Sequence, residues 1–234
     1  MTKRNSSKPF ESAVVRGFTL LEVLIAVSIV LTAIGMSVGF LTEAVRINFI
    51  SGEKNEINQD LRNVVDRLSR DARQANFFLL YRSEATEDRD SSGDRLFGGN
   101  SGDFLVLIEK APHSTYLDAS SARQPRPIRG LTIYFRSVTG VENGQAVGPV
   151  RVFRRTFNPA ITDLNSIRNP ELLYPTEQEL AAAPRIMAFS EGLANGRLFY
   201  NHFDRTIMIN GKILHGNAAK RVTDTYNFSI SPRG

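Results

Sequence analysis

Glu22 is the only charged side chain between Phe18 and Thr42, and the apolar run of residues 23–42 follows it directly. A carboxylate at the edge of such a run is costly to bury alone, so it needs a cation or hydrogen-bond donors as partners. The chemistry open to Glu22 is therefore ion pairing in a poorly hydrated layer. This makes Glu22 the first candidate functional residue.

A second candidate site is an acidic loop in the middle of the chain. Oxygen-bearing side chains alternate there as they do in the first half of a calcium-binding loop, at Asp88, Asp90, Ser92 and Asp94. Gly93 would permit the sharp turn, but Gly99 stands where a bidentate glutamate would close the site. We expect an acidic, solvated loop, and calcium is the only cofactor that the sequence leaves open.

Nothing else in the sequence points to catalysis. The three histidines, His113, His202 and His215, are far apart and lack metal-ligand spacing. No phosphate-binding loop or nucleophile elbow is present. The absence of cysteine excludes disulfides, thiolate metal sites and a cysteine nucleophile. We therefore expect a structural or binding protein and not an enzyme.

The basic residues give little reason to expect a nucleic-acid partner. The formal net charge is +5, but four basic residues lie within the first 17 positions. Six further arginines could form a patch for DNA or acidic lipid, namely Arg123, Arg126, Arg129, Arg151, Arg154 and Arg155. Arg154 and Arg155 would point to opposite faces of a strand, however, so a solvated surface explains these residues more simply.

The element that positions Glu22 is a predicted membrane helix. At about 1.5 Å per residue, residues 23–42 would span roughly 30 Å, which matches a bilayer core. Basic residues precede this run, so the positive-inside rule places the N-terminus in the cytoplasm. A secretory signal cleaved near Ala33-Ile34-Gly35 and a simple uncleaved anchor are the alternatives.

The segment around Glu22 resembles the processing junction of type IV pilins and type II secretion pseudopilins. The resemblance rests on Arg16-Gly17-Phe18-Thr19-Leu20-Leu21-Glu22-Val23. It implies that a prepilin peptidase cuts between Gly17 and Phe18, and that Phe18 is then N-methylated. It also implies that Glu22 pairs with the N-terminal amine of a neighbouring subunit. The implied partners are other pilin or pseudopilin subunits, the inner-membrane assembly platform and membrane lipid.

The pattern beyond the membrane run predicts that the helix continues into a folded head. Apolar residues recur every three or four positions, the spacing of one helix face, at Ile57, Leu61, Val64, Leu68, Ala72 and Ala75. We expect a leader over 1–17, a membrane and assembly helix over 18–42, an amphipathic helix over 43–80 and a β-rich periplasmic head over 81–234. A break near Ser51-Gly52, giving two helices, is the alternative.

The remainder of the chain predicts an antiparallel sheet, so the fold class is α+β. Short apolar runs indicate strands at 104–108, 131–135, 150–153 and 226–230. Asn143-Gly144 and Asn210-Gly211 each lie between apolar runs and predict hairpins. Residues 158–184 contain four prolines and predict a long excursion, with a short helix at 177–183.

A second resemblance concerns the larger minor subunits of these systems, the J-type pseudopilins and W-type minor pilins. It rests on the helix segment 67–75, with its Leu-x-x-Asp-x-Arg-Gln-Ala stretch, and on Val152-Phe153-Arg154-Arg155. It implies a minor subunit at or near a filament tip. The alternative function is a single-pass, membrane-anchored periplasmic binding protein or enzyme unrelated to filaments.

Overall fold

The structure, a computed structural model, describes residues 18–112, 125–142, 144–193, 195–217 and 220–232. The chain divides into two compact units, the first ending at Phe49 and the second covering Ile50–Gly234. We call the second unit the head. The predicted leader, including Gly17, lies outside the described residues.

Helix α1 runs without interruption from Leu20 to Gln74 and passes through Gly52, so the alternative of two helices is not adopted. The predicted face is the one that is buried in the head. Ile57, Val64, Leu68 and Ala72 are almost inaccessible to solvent, and Leu61 packs against the same cluster. The apolar spacing therefore identified the side of α1 that forms the core.

Within the described residues, two short α-helices and ten strands follow α1, and the α-helices are α2 (Leu164–Arg168) and α3 (Glu177–Ala181). The strands are β1 (Phe77–Tyr81), β2 (Ser101–Gly102), β3 (Phe104–Lys110), β4 (Ile128–Arg136), β5 (Gly140–Glu142), β6 (Gln145–Ile161), β7 (Arg185–Gly192), β8 (Phe199–His202), β9 (Thr206–Asn217) and β10 (Lys220–Ile230). They form one antiparallel sheet in the order β1-β3-β4-β6-β7-β9-β8-β2, with β5 beside β6 and β10 beside β9. The α+β prediction is confirmed.

The sheet separates two hydrophobic cores. The helix-side core joins the buried face of α1 to alternate residues of the sheet, among them Leu105 and Leu107. The opposite core takes the intervening residues of the same strand, Val106 and Ile108, and covers them with Leu180 of the excursion. Because successive side chains of a strand point to opposite faces, β3 supplies both cores. Each fully buried aliphatic side chain contributes about 1.5–3 kcal/mol to stability.

Helix α1 ends earlier than predicted. It stops at Gln74, whereas the sequence predicted helix to about residue 80, and Phe77–Tyr81 instead forms β1 along β3. Asn76 begins this pairing, because its N–H donates to Ile108 O at 2.8 Å and its Oδ1 accepts from the Lys110 N–H at 2.6 Å. Pairing with a central strand therefore overrides the helical pattern that precedes it.

The two predicted Asn-Gly hairpins have different outcomes. Glu142 pairs with Gln145 across a turn in which Gly144 has a φ of +78°, as the hairpin prediction requires, although Asn143 lies outside the described residues. The hairpin predicted at Asn210-Gly211 is wrong, because β9 runs straight through it.

Close packing explains the glycine within β9. Gly211 lies opposite Tyr226 of β10, and a Cβ atom added at Gly211 would lie 2.3 Å from the Tyr226 hydroxyl. Gly211 therefore makes room for a tyrosine side chain and does not form a turn.

Candidate functional site

The N-terminus of α1 places Glu22 in a hydrogen-bonded cap. Its Oε2 accepts from the Thr19 N–H at 2.9 Å and from the Thr19 hydroxyl at 3.0 Å. The Glu22 N–H donates in return to Thr19 Oγ1 at 3.3 Å. This reciprocal pattern is a capping box, which satisfies backbone N–H groups at the start of a helix.

The cap fixes the orientation of the Glu22 carboxylate. The hydrogen bonds described for this group all end on Oε2, so Oε1 has acceptor capacity for a further donor. Phe18, the residue that would become the N-terminus after cleavage, is exposed. The site can therefore present one carboxylate oxygen to a cation while the other oxygen caps its own helix.

The helix that follows is suited to an apolar environment. Its side chains are exposed throughout residues 18–43, and the run of residues 23–42 carries no charge. The hydroxyl groups of Ser28, Thr32 and Ser37 each donate at 2.8 Å to a carbonyl one turn earlier, so they are satisfied without water. Within the part of the chain that the structure describes, α1 is the one helix long and apolar enough to span a membrane.

The acidic loop has a different internal arrangement from a calcium loop. Asp88 accepts from the Ser83 hydroxyl, and Asp94 accepts from the Ser91 N–H and hydroxyl in a local capping box. Among the described residues, no group of three or more His, Asp or Glu side chains is placed to hold a metal ion. The acidic, solvated loop stays the expectation for this segment, with calcium at Asp88, Asp90, Ser92 and Asp94 as the open alternative.

Two motifs of the sequence analysis meet at the interface between α1 and the sheet. Asp71, on α1, is buried and accepts from Arg154 Nη2 at 2.5 Å and from the Tyr134 hydroxyl at 2.5 Å. Asp71 belongs to the Leu-x-x-Asp-x-Arg-Gln-Ala stretch, and Arg154 belongs to the double arginine of β6. The two resemblance motifs therefore form one contact that attaches the helix to the sheet.

The neighbouring arginines of β6 also bind within the head. Arg155 pairs with Glu179 on the opposite side of the sheet from Asp71, as strand alternation predicts. Arg151 Nη1 donates to Ala181 O at 2.9 Å and to Ala183 O at 2.6 Å. Arg129 Nη1 lies 3.7 Å from Glu109 Oε1, so four of the six arginines considered as a DNA patch have internal partners, and Arg123 lies outside the described residues.

A buried ion cluster links β3, β4 and the turn before β8. Asp103 accepts from Arg136 Nη2 at 2.6 Å and from Arg197 Nη1 at 2.9 Å. Its second oxygen accepts from the Leu198 N–H at 2.9 Å. The side chains of Asp103 and Arg136 are almost completely inaccessible to solvent, so each depends on the other for charge compensation.

A second buried network lies on the excursion side of the sheet. Glu171 accepts two hydrogen bonds from Arg95, at 2.6 and 2.9 Å, and one from the Tyr81 hydroxyl at 2.6 Å. Burial acts to raise the pKa of Glu171, but the bonds from Arg95 and Tyr81 outweigh it, and the pKa is lowered. The pKa of Tyr81 is raised, first by burial and then by its bond to Glu171. The tyrosine therefore stays protonated and acts as a donor.

Glu84 allows the pH dependence of the stability of the fold to be tested. Burial raises the pKa of its carboxyl, and the bond from Ser137 Oγ at 2.8 Å only partly opposes this. A raised pKa in the folded state stabilises the fold below the unfolded-state pKa, and that contribution is lost as pH rises through the folded-state pKa. Glu84→Gln keeps an acceptor for Ser137 without the charge. We therefore expect the variant to be more stable than the wild type at pH 8, with the difference shrinking towards pH 4.

Thermal unfolding of the full-length chain in detergent at several pH values measures this difference. Glu87→Gln, which changes an exposed neighbour, is the matched control and should leave stability almost unchanged at each pH. A Glu84→Gln variant less stable than the wild type at pH 8 would contradict the prediction.

Several of these residues were missed by the sequence analysis. The Thr19 cap could have been found, because Thr-x-x-Glu before an apolar run is a helix-start signal. The Asp103 cluster has no such signal, because Asp103, Arg136 and Arg197 lie far apart in sequence and meet only through the sheet.

No protein-family model matches the sequence, and no solved structure matches the chain significantly.

Proposed function

We propose that the chain is a minor pilin-like subunit of a type II secretion or type IV pilus system. In this proposal the protein is cleaved between Gly17 and Phe18 and is anchored by α1 in a bacterial inner membrane. The N-terminus is cytoplasmic and the head is periplasmic. The protein acts as an assembly component and not as an enzyme.

One observation carries the proposal. A glycine, a phenylalanine and a glutamate stand at the spacing of a prepilin junction, immediately before the exposed, uncharged surface of α1. An anchor alone needs an apolar helix, but it has no need for a carboxylate at this depth. A glutamate at the start of the helix is explained if it has a cationic partner in the assembly.

Cleavage would supply that cation. Removal of residues 1–17 creates an ammonium group at Phe18, and Glu22 Oε1 of a neighbouring subunit has acceptor capacity for it. Pairing the two charges relieves the cost of burying either one alone. The pairing would also set the register of each subunit against the next. Prepilin peptidase, the assembly platform and other pilin-like subunits are the partners in this proposal.

Sequencing the N-terminus of the membrane-extracted protein tests the proposal. We expect the mature chain to begin at Phe18, with a mass that includes one methyl group. Gly17→Leu should leave the leader attached, whereas the control Ser12→Ala should be processed normally. A mature chain that begins at Met1, or near Met36, would contradict processing and favour the alternative of a membrane-anchored protein unrelated to filaments.

A further inference from the structure

The head contains a cavity that the assembly proposal does not use. It has a volume of about 660 Å³ and lies between the loop around Arg89 and the segment Glu171–Gln178. Its lining includes Thr86, Arg89, Asp90, Tyr174, Glu177 and Gln178. Cavities of roughly 300–1,000 Å³ are typical of sites for drug-sized ligands, so a short peptide would fit.

The walls of this cavity are held in place by hydrogen bonds. The Thr86 hydroxyl donates to Glu177 Oε1 at 2.9 Å, which joins one wall to the other. Arg89 Nη2 donates to Pro175 O at 3.1 Å and makes a second link between them. A capping box between Thr176 and Glu179 fixes the start of α3, the helix that carries Glu177. Such a site loses little conformational freedom when a ligand binds.

Arg89 is the buried cation of this cavity. It is only 4% exposed, and its guanidinium lies 5.0 Å from the centre of the Phe104 ring. Its described hydrogen bonds use Nε, to Glu84 O, and Nη2, so Nη1 has donor capacity. Among the described residues, no carboxylate lies within ion-pair distance of Arg89. Glu177 and Glu84 attract the guanidinium across a longer distance, and Nη1 can still donate to an anion from outside the chain.

The rest of the lining has the opposite charge. Asp90 and Glu177 line the cavity near Arg89, and neither has a cation within ion-pair distance among the described residues, although Arg89 and Glu177 attract each other from further away. Glu171 also lines it, but Arg95 already neutralises its charge. The cavity therefore places one guanidinium with donor capacity close to two carboxylates. A ligand with a carboxylate and a nearby basic group complements both.

We propose that this cavity binds the carboxyl-terminal end of a partner protein, with the terminal carboxylate on Arg89 and a neighbouring lysine or arginine side chain on Asp90 and Glu177. A carboxylate and a guanidinium form two parallel hydrogen bonds when their geometry permits, which gives specificity for a chain end over an internal peptide group. The inference does not depend on processing at Gly17.

The test uses the full-length chain in lipid nanodiscs and the tripeptide Gly-Gly-Lys as the probe. We expect saturable binding by ligand-observed NMR, weakened at least about tenfold when the carboxylate of the probe is converted to an amide. Gly-Gly-Gly should bind more weakly than Gly-Gly-Lys, because it lacks the side-chain cation. Absence of saturable binding at about 5 mM Gly-Gly-Lys, or equal binding of the amide, would overturn the proposal.

Variants of the acidic residues test the second half of the proposal. Asp90→Asn combined with Glu177→Gln removes both negative charges and keeps the hydrogen-bond acceptors. We expect the double variant to lose most of the preference for Gly-Gly-Lys over Gly-Gly-Gly, while the exposed control Glu87→Gln retains it. An unchanged preference in the double variant would remove the basic side chain from the proposal. Arg89→Gln also tests the contact with the terminal carboxylate, provided that its thermal unfolding matches that of the wild type.

Discussion

Replacing Asp103 by asparagine is expected to lower the free energy of unfolding of the head by about 3–5 kcal/mol. The change leaves Arg136 as a buried guanidinium without a counter-ion, since its remaining described partners are the carbonyls of Ala146 and Gly196. It also weakens the bonds from Arg197 and from the Leu198 N–H. Removing one member of a buried ion pair is costly because the other charge remains desolvated.

Chemical denaturation of the full-length chain in detergent measures this loss. Glu191→Gln is the matched control, because it removes one carboxylate from the more exposed pair with Lys212, whose atoms are 3.7 Å apart. That control should cost no more than about 1 kcal/mol. A loss of under about 1 kcal/mol for Asp103→Asn would show that the cluster does not act as a buried ion pair.

The parts of the fold that depend on local periodicity were predictable. The three-and-four spacing from Ile57 to Ala75 identified the buried face of α1, and alternating or apolar runs identified β3, β4, β6 and β10. These signals arise because one face of each helix or strand is buried. Apolar residues therefore recur in the sequence at the spacing of that face. The end of α1 was not predictable in this way, since Phe77–Tyr81 becomes a strand only by pairing with β3.

Contacts between residues far apart in sequence could not be predicted from the local spacing of apolar residues. The sequence presented Asp71 and Arg154 as parts of two separate motifs, and only the sheet brings them within 2.5 Å. The same holds for Asn210-Gly211, which has the composition of a turn but is extended because it pairs with β7 and β10. Local composition limits the conformations that a segment can adopt, and long-range packing decides which of them forms.

At Glu22, the sequence identified the candidate functional residue and the structure identified its hydrogen-bond partner. A lone carboxylate before an apolar run identified Glu22 without any structure, because burial of a charge is costly in any fold. The structure adds Thr19 as the residue that orients this carboxylate. Under the assembly proposal, Glu22 then has two separable roles, a cap for its own helix and an ion-pair partner for a neighbour.

Glu22→Gln is expected to reduce assembly with other pilin-like subunits by at least about tenfold, while membrane insertion and cleavage continue. Glutamine still serves as the third residue of a capping box, so the substitution removes the charge and keeps the cap. Thr19→Val does the reverse, because it removes the hydroxyl and keeps the carboxylate charge. If charge pairing drives assembly, the loss should be much smaller for Thr19→Val than for Glu22→Gln.

Cross-linking of neighbouring subunits in membranes, normalised to the amount of processed protein, measures these differences. Ser28→Ala is the control, because it removes a hydroxyl that bonds only within α1, to the carbonyls of Leu24 and Ile25. Normal cross-linking of Glu22→Gln would reject charge pairing. Equal losses in Glu22→Gln and Thr19→Val would contradict the separation of the two roles, because assembly would then need the cap as much as the charge.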